Sequence, residues 1–166
     1  MAGVASITVY ATFRTKRAIL TRLIHVSLVG DQEPGPLLER EGPQTLAREP
    51  NQVRQVTMFA DAMGEIMERV SPIFEVMRNA AFTEPEITDL LDRLLSQRLT
   101  GMRFFIDALL RNGPLRPGLM PDAAAETVWA LSSPDLHRLL TRRLGWNRDR
   151  YATWLSETLL ATLLSR

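Results

Sequence analysis

Apolar positions recur by threes and fours along most of this chain. Between Asn51 and Val70 they are Val53, Val56, Phe59, Met63, Ile66, Met67 and Val70, a single stripe along one side of a helix. Ser71-Pro72 then predicts a restart, with Ser as N-cap and Pro at the first helical position of a short helix through Phe82. Thr83-Glu84-Pro85-Glu86 has capping-box spacing, Thr83 accepting from the backbone at Glu86 and Glu86 reaching back. It opens the longest predicted helix, whose stripe is Ile87, Leu90, Leu91, Leu94, Leu95, Leu99, Met102, Phe105, Ile106, Leu109 and Leu110. Asn112-Gly113-Pro114 stops that helix, Gly suiting a left-handed position just past the end and Pro barring continuation.

The last third repeats this punctuation. Asp122 caps a helix over Ala123–Ser132, Ser133-Pro134 starts another over Asp135–Leu144, Gly145 ends it, and Asn147 caps a final helix running towards Arg166. Gly30–Pro50, rich in Gly and Pro, reads as a loop with a helical turn at Gln44–Arg48. From Gly30 onwards no segment of strand length alternates with period two. The expected fold is all-α, a bundle of about seven helices.

Composition narrows the class. The 166 residues include no Cys, which excludes a disulfide framework, a thiolate zinc site and a Cys nucleophile and fits a reducing, cytoplasmic setting. No apolar run approaches a membrane span, and the N-terminus lacks a basic segment followed by an apolar one, so no membrane association is expected. Net charge is +1, unevenly divided: Arg14, Lys16, Arg17 and Arg22 face no acid before residue 30, and the remainder is net acidic. A basic end on an acidic body points to an anionic partner there, or to a solvated helix face.

Candidate chemistry is sparse. His25 and His137 stand in no metal-ligand spacing, and each reads as a partly exposed helix residue. Neither a Gly-rich phosphate loop nor a Gly-x-Ser-x-Gly elbow is present. Same-face acids such as Glu65/Glu68 and Asp89/Asp92 have Arg69 and Arg93 beside them and read as solvated faces. The expectation is a non-enzyme with no cofactor, no metal and no catalytic residue.

One segment is more specific. Ala2-Gly3-Val4 followed by Thr8-Val9-Tyr10, then Phe13 and Thr15-Lys16, resembles the TetR family of bacterial transcriptional regulators. In that family the stretch runs from the turn of a helix-turn-helix, through the recognition helix, into the next helix. Trp129-Ala130-Leu131-Ser132-Ser133-Pro134-Asp135-Leu136, Gly145-Trp146, Tyr151, Trp154 and the leucines from Leu159 resemble, more loosely, a C-terminal dimerising segment of such regulators. The resemblance implies a helical bundle of the TetR type, divided into a DNA-binding segment at 1–29 and a ligand-binding and dimerisation domain at 30–166. Thr8, Tyr10 and Lys16 are the DNA-binding residues it implies, through hydroxyls and a point charge offered to phosphates and base edges. Two departures are Ala5, where the family often has a Ser cap, and Arg14, where Gly is common. Members also carry two helices before this point, and Met1 sits almost at the turn. Either Met1 is an internal or mis-called start, or the chain is a natural short form, in which case the resemblance implies lost or greatly weakened DNA binding.

The implied function is ligand-responsive regulation of transcription, by repression. The alternative is a dimeric small-molecule-binding module without DNA-binding activity. The implied partners are operator DNA if the N-terminal helices are present, a second copy of the chain, and a hydrophobic effector. Met and Phe concentrate on the middle helices, so Phe59, Met63, Met67, Phe74, Met77, Met102 and Phe105 are the candidate ligand-binding residues, with plain core packing as the competing reading. No charge on those stripes signals a polar ligand. The homodimer is expected from Ala123–Ser133 and Asn147–Leu164, with Trp154, Leu159, Leu160 and Leu163 as apolar surface.

Overall fold

Thr15 acts as a helix cap, its Oγ1 accepting from the Ala18 amide at 3.1 Å, and α1 follows over Lys16–Val29. The computed structural model describes residues 15–29 and 36–165. After α1 come a short 3-10 turn (Leu37–Glu39), α2 (Glu41–Arg48), α3 (Gln52–Ala81), α4 (Pro85–Leu110), α5 (Pro121–Leu131), α6 (Pro134–Arg138), a π turn (Leu139–Arg143) and α7 (Arg148–Leu163). Among the described residues there is no strand, so the all-α expectation holds at that level. None of these helices is long and apolar enough to cross a membrane.

Three boundaries depart from the sequence reading. Ser71-Pro72 does not restart the chain: α3 runs through it for 30 residues and is the longest helix. Pro72 deprives the Glu68 carbonyl of its amide donor, a loss of roughly 3 kcal/mol in an unsupported helix. Burial of Val70, Phe74 and Met77 on the far side offsets it, each such side chain contributing about 1.5–3 kcal/mol. The capping box is absent as well. Glu84 is the N-cap of α4 without a side-chain bond, and Thr83 Oγ1 instead donates backwards to Ala80 O at 3.4 Å. Likewise α5 is capped by Met120, with Pro121 in the first turn, and not by Asp122. The expected caps at Ser133 and Asn147 do form, and Asn51 caps α3 in the same way, each side chain accepting from the amide three residues on.

Glycines sort by cause. Gly145 ends the π turn at φ +69°, the left-handed region that favours glycine. Gly113 is not in that region. A Cβ there would lie 2.9 Å from Gln52 Oε1, because the Gln52 amide donates to Leu109 O and Gly113 O at 3.0 and 2.8 Å and closes the end of α4. Part of the predicted Gly30–Pro50 loop is helix: α2 is tied down by Gln55 Nε2 donating to Leu46 O at 3.1 Å.

The helices enclose two apolar clusters. One gathers Val56, Phe59, Met102, Phe105, Leu109, Val128, Tyr151, Leu155, Leu159 and Leu163 among others. The second holds Leu20 and Ile24 of α1 against Val70, Phe74 and Met77 of α3 and Ile87, Leu90 and Leu91 of α4. Helix α3 runs through both, packing along α7 and α4 and touching α1, α2 and α6.

Helices α3 and α7 approach each other at Gly64, where a Cβ would meet Arg148 Cγ at 3.2 Å and Ala152 Cβ at 3.5 Å. Gly64→Leu is expected to lower stability by about 1–3 kcal/mol in urea titration, through overpacking. Gly101, with nothing within 4 Å of its Cβ position, gives the opposite sign: Gly101→Ala gains roughly 0.5–1 kcal/mol from helix propensity alone. Equal effects at the two sites would contradict this packing.

Candidate functional site

Sequence reasoning placed the ligand among seven Met and Phe side chains. Six of them, Phe59, Met67, Phe74, Met77, Met102 and Phe105, are buried, and Met63 is half-buried against the first cluster. Phe59 and Phe105 stack with centroids 4.1 Å apart. Phe74 and Met77 belong to the other cluster, so no single void touches all seven. Neither of the two cavities described below is lined by any of them.

The dimer and DNA candidates fall as follows. Leu159 and Leu163 are fully buried inside their own chain, which corrects their assignment to exposed surface: they face the first cluster, whereas Trp154 and Leu160 are half-buried at its edge. Thr8 and Tyr10 lie outside the described residues. Lys16, 59% exposed, places Nζ 2.8 Å from Glu84 Oε1.

Polar groups that the sequence reading passed over are more informative. His137 is not a partly exposed helix residue but only 4% exposed. Its Nδ1 lies 2.9 Å from Ser71 Oγ, and its ring meets Tyr151 edge-on at 4.7 Å. Tyr151, at the start of α7, is fully buried. Arg98 lies in phase with the α4 stripe, four residues after Leu94 and four before Met102. Its Nη2 donates to Trp129 O at 3.2 Å and Ser132 O at 3.0 Å, closing the end of α5, and its guanidinium lies 5.5 Å from the Trp129 ring centroid.

These groups share an unusual deficit. Among the described residues, the buried side-chain polar atoms without a hydrogen-bond partner are Arg98 Nη1, His137 Nε2 and Tyr151 Oη. No carboxylate of the described residues lies within ion-pair distance of Arg98. Burial pulls the Arg98 pKa down to about 10, with Tyr151 opposing. Burial pushes the Tyr151 phenol well above its ordinary range, with the Arg98 charge opposing. Burial also lowers the His137 pKa, against a smaller upward pull from Glu68. The native imidazole is therefore neutral at pH 7.

A cavity of about 220 Å³ reaches Ser71 and His137 from outside, lined also by Glu68, Glu75, Trp146 and Arg148 among others. Its wall is α6, clamped to α3 by the Arg78–Asp135 ion pair and by Arg138 Nη1 to Glu75 Oε1 at 3.5 Å. The second cavity, about 570 Å³, is an open groove along α1 with Thr15, Arg17, Arg22, His25 and Glu86 in its lining. Ser71 and His137 have the atoms of a nucleophile and a base, but no carboxylate holds Nε2, so the pair lacks the orienting third member of a triad. Among the described residues no cluster of His and carboxylates is placed to hold a metal. What the arrangement offers is recognition: a cation and two polar rings inside an apolar bundle. Comparison of the chain with protein-family models, curated proteins and solved structures gives no match.

The buried imidazole makes stability depend on pH. An unfolded His137 binds a proton near pH 6.5 and the folded one at lower pH, so the unfolded state holds more protons between those values and stability falls as pH drops through that window. Urea titrations from about pH 7.5 to about pH 5.5 should show this fall, and His137→Gln should flatten it. Ser71→Ala, which strips Nδ1 of its partner, should cost about 1–3 kcal/mol at pH 7.5. An identical pH dependence in wild type and His137→Gln would contradict the burial of a neutral ring.

Proposed function

We propose that this protein is a ligand-responsive transcriptional regulator of the TetR type, acting as a cytoplasmic repressor. The carrying observation is the seating of α1. This helix continues directly from the segment with TetR-like residues and buries Leu20 and Ile24 against α3 and α4. It is further held by Lys16 to Glu84 at 2.8 Å and by Arg69 Nε donating to Ser27 O at 2.9 Å. A ligand that shifts α3 against α4 thereby shifts the base of the DNA-reading segment, because packed clusters move as units.

The interior supports a ligand. Arg98 is half-buried, its Nη1 is buried without a partner, and leaving such a charged donor unmet costs free energy that a bound group of complementary charge removes. The homodimer of this reading uses α5 and α7, with Trp154 and Leu160 as its half-exposed apolar side chains. One observation favours the rival reading, a dimeric ligand-binding module without DNA affinity: Lys16, the phosphate contact this reading needs, is engaged with Glu84.

A gel shift separates the two. The protein expressed from its own gene should bind the intergenic DNA upstream of that gene in preference to a random duplex. The complex should weaken by orders of magnitude between about 50 and 200 mM salt as counterions reassociate. No preference for its own upstream DNA at either salt would leave the binding module as the function. Sedimentation should give a dimer, and a monomer at micromolar concentration would remove the α5–α7 interface.

A further inference from the structure

We infer that Arg98, Tyr151 and His137 are the receiving end of an internal site for a carboxylate carried on an apolar body. The inference rests on the ligand-binding part of the proposed function and names the chemical class of the ligand. Arg98 already spends Nη2 on the end of α5, while Nη1 is buried and unpartnered. Tyr151 Oη is also buried without a partner, and Tyr151 shares the first cluster with Val128, whose carbonyl accepts from the same Ser132 that Arg98 holds. His137 Nε2 completes the set, its ring in edge contact with Tyr151. The guanidinium N–H can only donate, the phenol O–H can donate, and Nε2 donates in the tautomer in which Ser71 donates to Nδ1, so all three can turn a donor to one acceptor. An anion with two acceptor oxygens answers that deficit, and a guanidinium binds carboxylate through paired, charge-assisted bonds.

The surroundings select the rest of the molecule. Tyr151 sits in the cluster of Met102, Phe105, Leu155 and Leu159, so the part attached to the acid is apolar. A phosphate ester would bring a second charge that the single cation Arg98 does not balance. The path is given by the outer cavity, which ends on Ser71 and His137, with Tyr151 directly behind the imidazole. Beside His137, α6 passes into a π turn, an irregularity frequent at functional sites.

The experiment uses the full chain, titrated calorimetrically with phenylacetate and octanoate and with their methyl esters, alongside thermal shift. Both acids, or one of them, should bind and raise the melting temperature, the aromatic and aliphatic arms fixing the kind of apolar body. The esters, uncharged and one methyl group larger, should bind at least about tenfold more weakly. Arg98→Gln keeps a donor for the α5 carbonyls but no charge, and should weaken acid binding at least about tenfold. Tyr151→Phe removes one buried oxygen and should weaken it a few-fold, which keeps the test decisive should Arg98→Gln fold poorly. Esters binding as tightly as acids, acids binding unchanged to both variants, or no acid binding at millimolar concentration would each overturn the inference. Its fate is separable from that of the regulator reading. Acids that bind through Arg98 yet leave a DNA complex intact sustain this site and count against the regulator. Neutral compounds that release DNA while acids fail to bind do the reverse.

Discussion

Helix α3 keeps its course across Pro72, and the arrangement of the other helices depends on it. A proline in mid-helix removes one hydrogen bond and crowds the preceding turn, so the segment survives only if both halves are held. Upstream, Val56, Phe59 and Ala60 are locked into the first cluster and Val70 into the second; downstream, Phe74 and Met77 are locked into the second. Because one rod passes through both, α1 at one end and α2 at the other are referred to a common frame. Ser71, the residue that would have capped a new helix, is freed for a different task, and its hydroxyl faces His137.

That contact links backbone continuity to the polar interior. Ser71 on α3, Arg98 on α4, His137 on α6 and Tyr151 on α7 are polar side chains drawn into the interior from four helices. Such groups weaken a core unless their hydrogen bonds are met. Here some are: Arg98 and Ser132 close the end of α5 between them, and the Ser132 hydroxyl donates to Val128 O at 2.7 Å. Others are not: Arg98 Nη1 can only donate, and Tyr151 Oη and His137 Nε2 are each able to donate beside it. A purely structural network would more economically be apolar, which is why the deficit reads as specificity for an acceptor supplied from outside.

Much of the architecture was legible in the sequence because it rests on periodicity and caps. The stripes of α3 and α4, the Ser133 and Asn147 caps and the Gly145 turn follow from local rules. The break at Ser71-Pro72 was misread because a good N-cap signal and a tolerated proline look identical until tertiary packing decides between them. Leu159 and Leu163 were assigned to a surface because leucines in a last helix do not reveal whether their partner is α3 of the same chain or a second copy. The polar cluster was missed although its signal was present: Arg98 interrupts the Leu94–Met102 stripe in phase, and His137 lies three residues from both Pro134 and Leu140. A charged or titratable residue on an apolar phase is the pattern to weigh, more than the Met and Phe that surround it.

The account stands on the buried cluster, and not the exposed groove along α1, being where an acidic ligand is held. Both places are cationic, the groove through Arg17 and Arg22, so the location of binding decides the matter. The most direct measurement is NMR of the protein with isotope-labelled arginine, histidine and tyrosine side chains during titration with phenylacetate. The expected result is saturable movement of the Arg98, His137 and Tyr151 side-chain resonances, with the Arg98 Nη protons slowed in exchange with water. Movement confined to Arg17, Arg22 and His25, with the interior resonances unchanged, would contradict it.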